Sequence, residues 1–208
     1  MPSLGRLHLI TDTRPGRDPL TLLRAVLPVA GPDLVVQVRV AHATSDREAY
    51  GLATRVVALC AGAGATCLVN DRLDVALAVG AAGGHVGADD LPVAVARRLL
   101  GPDAVLGATA RAPADAVAAV TAGASYLGVG PCFPTSTKDG LPPAIGAAGV
   151  RRVVGTVHVP VIAIGGVTAE AVPSLLAAGA YGVAVVGAVS GAADPARAVA
   201  DLLGALRC

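Results

Sequence analysis

Four helix-like segments of this chain end in one phrase: Ala61-Gly-Ala, Val79-Gly-Ala, Ala122-Gly-Ala and Ala178-Gly-Ala. Each sets a glycine where a helix C-terminus takes a left-handed residue, and each is followed by a short apolar run. A chain made of repeated helix-to-strand junctions is an alternating β/α protein. Strand-like runs fall at residues 7–11, 34–40, 66–69, 84–87, 104–108, 125–130, 159–164 and 181–186. Helical spacing fills residues 19–29, 46–61, 73–79, 91–100, 112–122, 146–155, 169–178 and 194–206. Ser45 or Asp46 serves as N-cap of the second helix, and Pro92 is tolerated in the first turn of the fourth. Eight strand–helix units of about 25 residues each predict a (β/α)8 TIM barrel, one domain over residues 1–208. A doubly wound open sheet uses the same units but normally fewer of them.

Composition removes several functions. The net charge is +1 and aromatics make up 2% of the 208 residues, with no tryptophan. No basic surface or base-stacking platform for nucleic acid follows from such a chain. Residues 116–137 and 171–193 carry no charge and are long enough to span a bilayer. Both are broken by glycines, and the first also by Pro131 and Pro134. Each therefore reads as a helix end, a turn and a buried strand, and no membrane association is expected. Met1-Pro-Ser-Leu-Gly-Arg6 lacks the pattern of a signal peptide. The four cysteines (Cys60, Cys67, Cys132, Cys208) have no metal-ligand spacing and read as free thiols in a reducing cytosol.

Chemistry in a TIM barrel gathers at the C-terminal ends of the strands. The polar residues of this chain concentrate there: Gln37 and Arg39, Asn70 and Asp71, Asp90, Thr109, and the loop Thr135-Ser-Thr-Lys138. Lys138 is the only lysine; the other fifteen basic side chains are arginine. A compact ammonium beside three hydroxyls suits a phosphate group approached from several directions. Asp71 and Asp90 leave neighbouring strands and, with Arg39 and Lys138 at the same mouth, suit a Mg2+ ion that keeps several waters. Each also precedes a helix, where a carboxylate serves as a cap, and Asp89 is an alternative to Asp90 as ligand. Gly165-Gly166 after the seventh strand and Val186-Gly187 after the eighth match the usual phosphate site of such barrels. His85 reads as a core or supporting residue, and Cys132 as a small buried filler. No Ser-His-Asp or Cys-His arrangement presents itself, which excludes covalent hydrolysis of that kind.

These residues also form a pattern. Val36-Gln-Val-Arg39, Val69-Asn-Asp-Arg72, His85-Val-Gly with Asp90-Leu-Pro, the Pro134-Thr-Ser-Thr-Lys138 loop, Ala163-Ile-Gly-Gly-Val167 and Gly182-Val-Ala-Val-Val186 resemble the thiamine-phosphate synthase family. The resemblance runs from Leu7 to about Ser190. It implies a barrel enzyme, usually cytoplasmic and oligomeric, joining two small phosphorylated substrates, hydroxymethylpyrimidine diphosphate and a thiazole phosphate. Residue by residue it implies that Gln37, Arg39, Asn70, Thr109 and Lys138 hold the pyrimidine diphosphate and that Asp71 and Asp90 hold Mg2+. Thr135, Ser136, Thr137, Gly166, Val186 and Gly187 would hold the thiazole phosphate. Arg39 and Lys138 would stabilise the leaving diphosphate of a dissociative substitution.

Three positions depart from the family pattern. Its second-strand motif normally ends Arg-Glu-Lys, and here Arg39 is followed by Val40-Ala41. Thr109 stands where serine is usual and keeps the hydroxyl, while Gly187 replaces a serine and keeps only the backbone N–H. Two alternatives remain at this stage. A thiazole tautomerase shares the Asn70–Asp74 and Gly140–Pro143 segments, but its catalytic histidine would fall on Arg111. A barrel that binds a phosphorylated ligand without turnover would account for Ala41.

Overall fold

The computed structural model describes residues 4–137 and 140–207. Eight parallel strands close into a barrel in the order β1 to β8. They are β1 (Leu7–Ile10), β2 (Leu34–Val38), β3 (Thr66–Asn70), β4 (Gly83–Val86), β5 (Val105–Ala110), β6 (Tyr126–Val129), β7 (Val161–Ile164) and β8 (Gly182–Val185). The helices between them are α1 (Pro19–Ala30), α2 (Asp46–Ala63), α3 (Leu73–Ala78), α4 (Val93–Leu100), α5 (Pro113–Thr121), α6 (Gly146–Val154) and α7 (Val172–Ala177). A one-turn α8 (Gly187–Ser190) and the closing α9 (Pro195–Arg207) follow β8. The expected (β/α)8 TIM barrel is what the chain forms.

The strands are covered on both sides, which explains their near-continuous apolar runs. Residues of one parity, including Leu9, Val36, Val69, Leu127 and Val183, pack outward under the helices. The other parity fills the barrel interior with Ile10, Val35, Leu68, Val105, Tyr126, Ile162 and Ala184. Tyr126 is the largest of these and is 1% exposed. Its room is made by a neighbour. A Cβ on Gly107 would lie 2.2 Å from Tyr126 Cζ and 2.4 Å from His85 Nδ1, closer than atoms pack.

Three details differ from the sequence expectations, each for a local reason. α2 runs through Gly62 and ends at Gly64, whose φ of 71° makes it the left-handed cap. The Ala61-Gly-Ala phrase is therefore interior, whereas Gly80, Gly123 and Gly179 are left-handed as expected. α4 begins at Val93 with Pro92 outside it as N-cap. β5 extends to Ala110, so Thr109 is a strand residue and not a loop residue. Ser45 caps α2 through a reciprocal bond with Glu48.

Candidate active site

At the mouth formed by β2, β3 and β4, Gln37 is the fourth residue of β2, facing inward and buried. Arg39 follows the strand, and its backbone is bracketed by Thr11. The Thr11 hydroxyl donates to the Arg39 carbonyl at 2.8 Å and accepts from the Arg39 N–H at 2.8 Å. Asn70 closes β3 opposite His85 of β4. Asp71 then takes φ 62°, the one left-handed non-glycine among the described residues, and its N–H donates to the His85 carbonyl. Asp tolerates that region better than most residues, and a strained backbone beside a strand end turns the side chain out of the strand's path.

Among the described residues neither carboxylate is seen to cap a helix. α3 starts from Arg72 and α4 from Pro92, and both starts lack a side-chain cap bond. Asp90 instead turns back to the end of β4, where its Oδ2 accepts the Gly87 N–H at 2.6 Å. Among the described residues no group of three or more His, Cys, Asp or Glu side chains is placed to hold a metal. Two carboxylates from adjacent strand ends fit an ion that takes most of its shell from water and phosphate. Arg72 is committed elsewhere, to Asp46 and the Thr44 carbonyl, where it pins the loop that carries Ala41.

Across the mouth, the loop after β6 stays paired with β7. Cys132 N–H donates to Ile164 O at 2.8 Å and Phe133 N–H to Gly165 O at 2.9 Å. That pairing sets Phe133 and Pro134 against Gly166 and leads the chain through Thr135 and Ser136 to Thr137 beside Gly187. Gly166 has φ 65°, and a Cβ there would meet Pro134 O at 2.4 Å. Gly187 opens α8 directly after Val186, and a Cβ on it would lie 3.2 Å from the Thr137 methyl. The serine usual at this position would require the Thr137 methyl to give by a few tenths of an ångström. Thr135 and Thr137 hydroxyls are 3.1 Å apart. Lys138, the expected ammonium at the end of this loop, lies outside the described residues.

Several supporting residues carried no motif. Arg111 reaches the Gly130 carbonyl with Nε (3.2 Å) and the Pro143 carbonyl with Nη2 (2.6 Å), tying the two ends of the loop together. Asp12, buried at the end of β1, accepts a forked pair of bonds from Arg14 at 2.8 and 2.7 Å. It also accepts the Ser190 hydroxyl of α8 at 2.7 Å. The Arg14 guanidinium and then the Ser190 hydroxyl hold this carboxyl well below the usual range. His85 contacts Tyr126 and Thr109, each at 3.0 Å, which makes it a supporting residue as expected. Cys132 is buried, its thiol pushed up to about 11 by burial, which suits a filler and not a nucleophile. Cys60, Cys67 and Cys132 are free thiols.

A family model described as thiamine monophosphate synthase matches residues 7–189. A thiamine-phosphate synthase of Salinispora arenicola is 70% identical over 208 residues, covering all of both chains. One from Chlorobium limicola is 41% identical, covering 100% of this chain and 96% of the other. A solved thiamine phosphate pyrophosphorylase of Pyrococcus furiosus superposes with a TM-score of 0.86 at 34% identity, covering 97% and 95% of the two chains. The chain belongs to the thiamine monophosphate synthase family. Membership makes it a transferase of thiamine biosynthesis. Against a tautomerase, the position of the general-base histidine is Arg111, whose guanidinium is occupied by two carbonyls. No helix among the described residues is long and apolar enough to cross a membrane.

Proposed function

We propose that the chain joins hydroxymethylpyrimidine diphosphate to a thiazole phosphate, giving thiamine phosphate and diphosphate by dissociative substitution. Gln37, Arg39, Asn70, Thr109 and Lys138 bind the pyrimidine diphosphate, and Asp71 and Asp90 are the residues that hold Mg2+. A bound Mg2+ supplies charge neutralisation for the departing diphosphate. Arg39 and Lys138 meet the same developing charge, Arg39 from a backbone clamped by Thr11. Thr135, Ser136, Thr137, Gly166, Val186 and Gly187 receive the thiazole phosphate, largely through backbone N–H groups that glycine leaves accessible. The thiazole nitrogen then captures the pyrimidinylmethyl cation. Orientation and electrostatics suffice for this, so no side-chain nucleophile is required.

The observation that carries the reading is the loop at residues 133–137 meeting Gly166 through Phe133 and Pro134 and Gly187 through Thr137, three chain segments on one side of the mouth. It lies opposite two carboxylates that turn away from helix capping. The test mixes the protein with both phosphorylated substrates and Mg2+ and looks for thiamine phosphate and diphosphate in equal amounts. Isomerisation of a thiazole carboxylate phosphate without thiamine phosphate would overturn it. Ala41 favours one other reading, a barrel that binds phosphate ligands without turnover; Mg2+-dependent ligand binding with no product would establish that instead. The working location is the cytoplasm, and the working form a homo-oligomer, as is usual in the family.

A further inference from the structure

Two polar residues follow β1, and they leave it toward opposite neighbours. Thr11 turns to β2. Its N–H donates to the Gln37 carbonyl at 2.9 Å. Its hydroxyl serves both backbone groups of Arg39, accepting the N–H and donating to the carbonyl, each at 2.8 Å. A backbone N–H can only donate and a carbonyl only accept, so the direction of both bonds is fixed. β2 itself stops at Val38, and the Thr11 side chain stands in for one more rung of the ladder. Asp12 turns the other way, where it accepts the Ser190 hydroxyl of α8 at 2.7 Å. Both residues are buried, Thr11 3% and Asp12 4% exposed.

Arg39 depends on this arrangement more than its neighbours do. Among the described residues no hydrogen bond or ion pair reaches its guanidinium. The next backbone bond downstream lies inside the following loop, from Thr44 N–H to the Ala41 carbonyl. The direction in which the Arg39 side chain leaves the strand end is therefore set by its own backbone, and Thr11 fixes that backbone. A long side chain with an unheld head binds an anion at a cost in rotamer freedom, and a fixed root limits the volume it must search.

We propose that Thr11 is a positioning residue for the diphosphate subsite, aiming Arg39 from the neighbouring strand. With Asp12 it forms a two-sided brace in which adjacent residues serve different substrates. Thr11 serves the pyrimidine diphosphate through Arg39, and Asp12 serves the thiazole phosphate through α8. The naming of the substrates rests on the reaction proposed above, whereas the clamp on Arg39 does not.

Three measurements test it. In the ligand-free protein, amide hydrogen exchange followed by NMR is expected to show the Arg39 N–H protected. Exchange becomes at least about tenfold faster in Thr11→Val and stays as in the wild type in Thr11→Ser. A wild-type Arg39 amide that exchanges like an open loop would overturn the proposal, even if the protein makes thiamine phosphate. In calorimetric titration with Mg2+ and inorganic diphosphate, Thr11→Val is expected to bind about tenfold more weakly and Thr11→Ser within about twofold of wild type. In steady-state kinetics Thr11→Val raises KM for the pyrimidine diphosphate about tenfold and leaves that for the thiazole phosphate within about twofold, and Asp12→Asn shows the reverse selectivity. A loss shared equally by both substrates, or a Thr11→Ser as impaired as Thr11→Val, would refute the brace. A protected Arg39 amide in a protein that neither binds diphosphate nor turns over would instead sink the proposed reaction. Should Thr11→Val not fold, Thr11→Cys, which keeps the volume with a weaker bond, takes its place with the same expected direction.

Discussion

Single side chains divide here into those that act through charge and those that act through being kept neutral. Lys138 belongs to the first group. With Ala41 in place of the second-strand lysine usual in the family, it is the only ammonium the chain can bring to the diphosphate. A lost charge-assisted phosphate contact costs about 1.5–3 kcal/mol, so Lys138→Ala is expected to reduce kcat/KM at least tenfold to hundredfold. Near-normal diphosphate-dependent turnover in that variant would count against the assignment. His8 belongs to the second group. It is buried against the Tyr126 ring, 5.2 Å between centroids, and burial, then the nearby His85, push its pKa down to about 3. The unfolded chain binds a proton near pH 6.5 that the folded protein refuses until about pH 3. Stability contributed by neutral His8 is therefore complete above pH 6.5 and is lost as pH falls through that window, by up to about 1.4 kcal/mol per pH unit. Urea unfolding at several pH values should show this slope in the wild type and a shallower one in His8→Asn.

Among the elements, the least regular one carries the most function. α8 is a single turn, too short to be stable alone, and is held by contacts from the segment after β1. Asp12 accepts the Ser190 hydroxyl, while Arg17 donates to the Ser190 carbonyl at 2.8 Å. These bonds close the barrel seam between β1 and β8 and orient Gly187, the opening residue of α8. Asp12→Asn keeps the shape but weakens the bonds, and is expected to raise KM for the thiazole phosphate roughly threefold to tenfold. The KM for the pyrimidine diphosphate should stay unchanged, and Ser190→Ala should act in the same direction. Equal effects on both substrates would show a general loosening instead. The short turn at residues 187–190 left no signal in the sequence, because four residues carry no helical period.

For the whole molecule, the barrel interior is where packing and function share the same atoms. Outside the strands, helices cover the sheet with interchangeable Leu, Val and Ala contacts. Inside, Tyr126 and His85 occupy the space that Gly107 and Gly128 leave. Gly107→Ala inserts a methyl 2.2 Å from Tyr126 Cζ and is expected to cost about 3 kcal/mol. For a chain of 208 residues that lowers Tm by roughly 6–12 °C. An equal change at Gly62, where nothing lies within 4 Å of a Cβ, should leave Tm unchanged or raise it. Differential scanning calorimetry on the two variants distinguishes a packing constraint from a general intolerance of alanine.

Period and punctuation in the sequence were enough for the (β/α)8 barrel, since eight apolar runs joined by glycine-ended helices admit few other closures. They were also enough to gather Gln37, Arg39, Asn70, Asp71, Asp90, Thr109 and Thr135–Thr137 at one end, because every strand of such a barrel ends on the same face. What the carboxylates do there was undecided in sequence: a residue before a helix is a cap or it is not, and only the observed starts at Arg72 and Pro92 exclude capping. The clasp of Asp12 on Ser190 joins residues 178 apart, and the path from Tyr126 through His85 to Thr109 joins three strands. Local pattern carries no information on which inward side chains meet across a closed barrel. Their meeting is set by the stagger of the strands, and closure alone decides it.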